Sequence, residues 1–229
     1  MIWVNRAAYT VVRNFRSFLR EEDIDLSEGF LLGTYVAPDA FGYERDGLGL
    51  QANLLAGTRL PGGFATVRAQ ATGLVHGDGL DSGTVRLSGT WLVQPVPRQS
   101  LTLFAQGGWQ KRAVPGEEFD LGLGRGPRAF YAHAFTGDRF INLTAEYRWT
   151  VAEDLWNVMG IGLAGFLDHG GAWYSGSPRR TGTDAGFGIR FGPSRTAEGG
   201  ALSIDLARRF ETDAQPGGWA VVVSRVTRF

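Results

Sequence analysis

The feature that most constrains this chain is a two-residue hydrophobic period sustained over segments of ten residues or more. In residues 139–150, Ile141, Leu143, Ala145, Tyr147 and Trp149 alternate with Phe140, Asn142, Thr144, Glu146, Arg148 and Thr150. A strand sends successive side chains to opposite faces, so such a segment has one apolar face and one polar, charged face. The pattern recurs with Val85, Leu87, Trp91 and Val93 against Thr84, Arg86, Ser88 and Thr90, and with Leu101, Leu103, Ala105 and Trp109 against Thr102, Gln106 and Gln110. It returns with Ala185, Phe187, Ile189 and Phe191 against Asp184, Gly186, Gly188 and Arg190, and with Leu202, Ile204 and Leu206 against Ser203, Asp205 and Arg209.

Eleven strands are expected, near 5–16, 29–38, 46–58, 63–76, 82–94, 98–111, 139–150, 155–169, 182–192, 200–210 and 218–229. The first two alternate poorly, and the charged stretch 19–26 reads as a loop. Most connections are turn-like, among them Pro61-Gly62, Gly77-Asp78-Gly79, Pro95-Val96-Pro97 and Pro216-Gly217, so regular antiparallel hairpins follow. No segment holds a 3.6-residue period long enough for a helix. The expected fold is all-β and antiparallel.

Composition narrows the class. Glycine is 34 of 229 residues without a Gly-X-Y period, and 7 tryptophans with 12% aromatics exclude a disordered glycine-rich chain. Twenty-three basic residues balance 23 acidic ones, which argues against a nucleic-acid partner. Cysteine is absent, removing disulfide frameworks, zinc–thiolate sites and cysteine nucleophiles. The length suits one domain, 1–229. Residues 1–18 carry Arg6, Arg13 and Arg16 and hold no signal-peptide core.

Two all-β readings compete. A soluble sandwich or barrel buries its apolar face and solvates the other; a transmembrane barrel turns the apolar face to lipid and the polar face to a wet lumen. The membrane reading is favoured by strand length, since a tilted spanning strand needs ~9–11 residues. It is also favoured by Trp91, Trp109, Tyr147, Trp149, Trp173 and Trp219 near strand ends, where interfacial girdles lie, and by a last strand that closes on Phe229. Glu146, Arg148, Asp184, Arg190 and Asp205 are then lumen-facing, in a wall of mixed sign rather than a selective ring of one sign.

One connection, 112–138, is long, glycine-rich and aromatic, and loops of that length usually carry function. Within and after it, Pro127-Arg128-Ala129-Phe130, Phe135-Thr136-Gly137-Asp138-Arg139, Ala145-Glu146-Tyr147-Arg148 and Phe166-Leu167-Asp168-His169-Gly170 resemble the barrel of the BamA/TamA outer-membrane assembly superfamily, which includes the bacterial surface antigen proteins and two-partner secretion transporters. The family pattern is an aliphatic residue, Arg, Gly and an aromatic; Pro127 and Ala129 depart from it.

The resemblance implies a transmembrane β-barrel, eleven strands of a sixteen-stranded one, in the bacterial outer membrane. It implies protein insertion or translocation, with the lipid bilayer and client or secreted polypeptides as partners. It implies that the long loop folds back into the barrel, with Arg128 meeting Asp168 and Phe130 packing beside them. It also implies that the last strand, with Trp219 and Phe229, acts as the barrel-insertion signal. Signal peptide and POTRA domains are absent from 1–229, and eleven is an odd strand count, so this chain is expected to be the C-terminal part of a longer one; a smaller barrel, or one closed by self-association, is the less favoured alternative.

Other motifs weigh less. Gly160-Ile161-Gly162-Leu163-Ala164-Gly165 spells G-x-G-x-x-G, yet a dinucleotide site needs a helix next, and Gly160, Gly162 and Ala164 instead make a small strand face that a loop can approach. Asp168 and His169 fall on opposite faces, and with His133 and His76 they give neither a catalytic set nor a metal pair. The acidic residues Glu21, Glu22, Asp23 and Asp25 lack EF-hand spacing. No catalytic residue, cofactor or metal is expected. The competing functions are a passive outer-membrane pore or structural barrel and, less favoured, an outer-membrane hydrolase.

Overall fold

The computed structural model describes residues 1–43, 45–77, 79–112, 116–195, 201–213 and 215–225. Fifteen strands are present among them: β1 (Ile2–Arg6), β2 (Tyr9–Arg13), β3 (Glu21–Asp25), β4 (Glu28–Ala37), β5 (Gly47–Leu60), β6 (Gly63–His76), β7 (Gly79–Val93), β8 (Gln99–Lys111), β9 (Phe119–Leu121), β10 (Phe135–Gly137), β11 (Arg139–Leu155), β12 (Met159–Trp173), β13 (Gly182–Pro193), β14 (Leu202–Arg209) and β15 (Gly218–Arg225). Among the described residues, no helix is long and apolar enough to cross a membrane.

Eleven strands form one sheet in the order β1-β4-β5-β6-β7-β8-β11-β12-β13-β14-β15, with every neighbouring pair antiparallel. The register keeps the two faces distinct across it: Ala105, Leu143 and His169 lie in one row, as do Leu163, Ile189, Ile204 and Val223. The opposite face carries the rows Thr144–Asp168–Asp184–Arg209 and Arg148–Ala164–Gly188–Asp205. On the first face Leu87, Trp91, Leu143, Tyr147, Phe187 and Ile189 are exposed, so this sheet does not bury its apolar side.

The sheet is open. β1 and β15 each pair on one side, and with ten antiparallel steps between them they point the same way. An all-β antiparallel fold is thus present, whereas the expected barrel closure is not seen among the described residues.

The N-terminal expectation needs correcting. In place of the single strand expected at 5–16 there are two, β1 in the large sheet and β2 in a separate two-stranded sheet with β3, where the charged sequence reads as a loop. The chain leaves the large sheet at Ala7-Ala8 and pairs Tyr9–Arg13 with Glu21–Asp25. Charge hides the β3 strand: Ile24 is its buried hydrophobe, and Glu22 caps the intervening bend by accepting from the Arg16 and Ser17 N–H groups at 2.7 and 3.0 Å.

This hairpin lies on the polar face. Val12, Phe15, Ile24 and Leu26 pack against Phe64 of β6 and Leu92 of β7, with the Phe15 and Phe64 rings edge to face at 5.4 Å. Leu26 lies against Gly57 of β5, while the Arg16 carbonyl accepts from Ala201 N–H after β13. In a flat sheet those sites stand about six strand spacings, roughly 30 Å, apart. One short segment reaches both, so the sheet curls around it and the polar face is concave.

Candidate functional site: a charged wall seated by the long loop

Strand alternation places Glu146 and Arg148 of β11, Asp168 of β12, Asp184 and Arg190 of β13, and Asp205 and Arg209 of β14 on the concave face. Isolated charges there would be costly, and each is stabilised only if paired. The partner that completes the set comes from the long loop.

That loop is structured. β9 and β10 pair as a short ribbon, Phe119–Leu121 against Phe135–Gly137. Phe119, Leu121, Phe130 and Phe135 pack with Phe140 and Ala172 of the wall. Gly122, at φ +147°, permits the fold: a Cβ there would stand 2.1 Å from the Tyr131 carbonyl. The tip turns Arg128 onto the wall with its side chain 1% exposed.

The Arg128 fork meets Asp168 with both oxygens, Nε donating to Oδ2 at 2.6 Å and Nη2 to Oδ1 at 3.2 Å. Nη1 donates to Glu146 Oε2 at 3.2 Å and to Asp205 Oδ2 at 3.0 Å. The guanidinium also lies over Phe166, 3.6 Å from its centroid. Burial opposes the charge, and Asp168, Glu146 and Asp205 outweigh that, holding the Arg128 pKa above the ordinary arginine value. Arg190 ties the same acids together, through Nη2 to Glu146 Oε2 at 3.0 Å and Nη1 to Asp205 Oδ1. Gly188 leaves room for this, since a Cβ there would stand 2.1 Å from Asp205 Oδ1. Four arginines (128, 148, 190, 209) face four carboxylates (146, 168, 184, 205), so this ionic set balances in charge.

The next residue is gripped through its backbone. Ala129 N–H donates to Asp184 Oδ2 at 2.9 Å, and its carbonyl accepts from Arg209 Nη1 at 2.6 Å. Its methyl joins Phe166 and Ala207. Phe130 fills the space over Gly182, where a Cβ would stand 2.2 Å from its ring. Arg209 Nε also donates to the Pro216 carbonyl at 2.8 Å, and Tyr131 N–H to Gln215 Oε1 at 3.2 Å, which fastens the loop tip to the β14–β15 connection.

The structure thus brings Arg128, Phe130, Asp168, Glu146, Asp184, Arg190 and Asp205 together, with Arg148 at the rim of the set. Trp219 is elsewhere, exposed on the convex face under Arg208, and Phe229 lies outside the described residues. Sequence reasoning misses the clamp by Arg209 and Gln215; the inward position of Arg209 on β14 is its one available signal. The small face of β12 does receive a neighbour, but at Gly160 it is Phe18 of the N-terminal segment rather than the long loop. The strand runs on through Trp173 with no helix after the glycine motif. His133 pairs with Asp120 at 2.6 Å in the loop, and His169 with Thr183 at 2.8 Å, apart from Asp168.

No protein-family model matches the chain, and no curated protein matches it.

Proposed function

We propose that this chain is an outer-membrane β-barrel protein of the assembly or translocation type, inserting or translocating polypeptides in the bacterial outer membrane. The observation that carries the reading is the seating of Arg128 on Asp168. The resemblance to the BamA/TamA superfamily assigns that contact from sequence motifs forty residues apart, and the two side chains meet at 2.6 Å. The exposed apolar face supports a lipid environment, since monomeric soluble proteins rarely leave a large contiguous apolar patch uncovered. Among the described residues β1 and β15 each pair with one neighbouring strand, and an extended client strand can add at such a sheet edge.

Two steps follow from the chain's own residues. The loop holds the inner wall through Arg128, Ala129 and Phe130, fixing the β11–β14 segment as a rigid unit. The β14–β15 hairpin, tethered through Arg209 and Gln215, then presents its edge in a defined register.

A passive pore is the second reading, favoured by the polar concave wall away from the loop, where Thr66, Arg68, Ser88 and Thr90 line a cavity with the hairpin. The test is reconstitution of the chain in outer-membrane lipid vesicles, with client-barrel insertion and ion conductance measured on the same samples. Accelerated client insertion that Asp168→Asn diminishes supports assembly; conductance with no effect on client insertion supports the pore.

A further inference from the structure

We infer that residues 9–25 are a built-in plug whose seating is coupled to the long loop through Arg148. This rests on the proposed function only in taking the concave face as a lumen. The hairpin enters from the end of the sheet that carries the β5–β6, β7–β8, β11–β12 and β13–β14 connections; the long loop enters from the other. The hairpin is fastened to several strands at once. Arg59 donates to the Tyr9 carbonyl, Gln94 Nε2 to the Arg13 carbonyl at 2.6 Å, and Asn14 Nδ2 to Glu153 Oε1 at 2.7 Å.

The two inserted elements are bridged by two neighbouring wall side chains, Arg148 and Glu146. Arg148 Nη1 donates to the Phe15 carbonyl at 2.6 Å, while its Nε donates to Glu146 Oε1. Glu146 is 2% exposed, and its other oxygen accepts from Arg128 of the loop. One arginine and one carboxylate therefore separate the plug backbone from the loop lock. When Arg148 departs, Glu146 Oε1 keeps a long 3.4 Å contact from Arg190 Nε, and in so dry a site the carboxylate turns toward that arginine at the expense of its bond to Arg128, because solvent does not replace the lost partner. A cavity of about 290 Å³ between hairpin and wall gives the plug room to shift. A polypeptide crossing the concave face must displace both inserts, and the coupling makes release of one loosen the other. Coupling between sites is reciprocal, so either insert can be perturbed to test it.

Hydrogen exchange of the full chain in detergent micelles reads this directly, whatever the protein's activity. Asn14→Ala loosens the plug at a contact outside the ionic network. The expected result is faster exchange in residues 9–25 and also, by about fivefold or more, in residues 119–137. In an Arg148→Lys background, which keeps a charge beside Glu146 but loses the two-armed fork, Asn14→Ala should speed the plug and leave the loop unchanged. Loop exchange that ignores Asn14→Ala in the wild-type background overturns the coupling, as does an equal loop response in the Arg148→Lys background. Client-insertion assays test the proposed function separately and do not enter this result.

Discussion

Arg128 binds three carboxylates, and no lysine can reproduce that geometry. An ammonium offers a point charge, whereas the guanidinium fork meets Asp168 with two atoms and still reaches Glu146 and Asp205. Removing one partner from so dry a set leaves unpaired buried charge, at a cost of about 3–5 kcal/mol. Arg128→Ala and Asp168→Ala are therefore expected to destabilise separately and to be strongly non-additive together, measured by denaturant unfolding and by protease cleavage between residues 119 and 137. Additive losses would mean the two do not act as a pair. Arg209→Ala is expected to free both the Ala129–Tyr131 tip and residues 215–217, seen as new cleavage in both segments; cleavage confined to one would sink the tether. The Arg128–Asp168 pair is legible in the sequence through the family resemblance, with which strand alternation agrees by placing Asp168 on the polar face beside Gly162 and Ala164. That Glu146 and Asp205 share the same guanidinium is not, because it depends on inter-strand register, which no single strand's sequence states.

Strands whose two faces differ in chemistry are legible as elements. β5 to β8 and β11 to β15 alternate cleanly, and their expected boundaries fall a few residues short or long of the observed ones, except that the expected end of the last strand, 226–229, lies outside the described residues. The β2–β3 hairpin escapes because its contacts are tertiary: Phe15 and Phe18 gain their burial from Phe64, Gly160 and Ala201, far along the chain. Gly160→Leu is a sharp test, since even a Cβ there would stand 2.2 Å from Phe18. It should expel Phe18 and expose residues 14–19 to protease while leaving the large sheet's circular dichroism intact; an unchanged digestion pattern would contradict the packing. At the same scale, a charged residue introduced at Leu143, Tyr147, Ile189 or Ile204 should cost ~2–4 kcal/mol of stability in bilayers near mid-depth. The same change at Gln70 or Ser88, on the concave face, should cost little. Equal tolerance on both faces would remove the lipid-facing assignment.

At the scale of the molecule, the odd strand number has a geometric consequence. β1 and β15 point the same way, so joining them edge to edge makes a parallel pair, and antiparallel closure needs an odd number of further strands between them. The sequence pattern already reads an odd count, eleven, where a single-chain bacterial barrel has an even number; what it does not show is that β2 and β3 leave the large sheet for a hairpin of their own. Spin labelling distinguishes a convex apolar face that meets lipid from a concave face that meets water. The chain has no cysteine, so single cysteines can be introduced one at a time without background. Labels at successive positions 85–90 in β7, with the chain in lipid vesicles, report collision with oxygen, which concentrates in the bilayer, and with a water-soluble nickel complex. The expected result is a two-residue oscillation of opposite phase, with oxygen high at Val85, Leu87 and Gly89 and nickel high at Arg86, Ser88 and Thr90. Equal nickel access at all six positions, or a chain that stays in the aqueous phase, would contradict it.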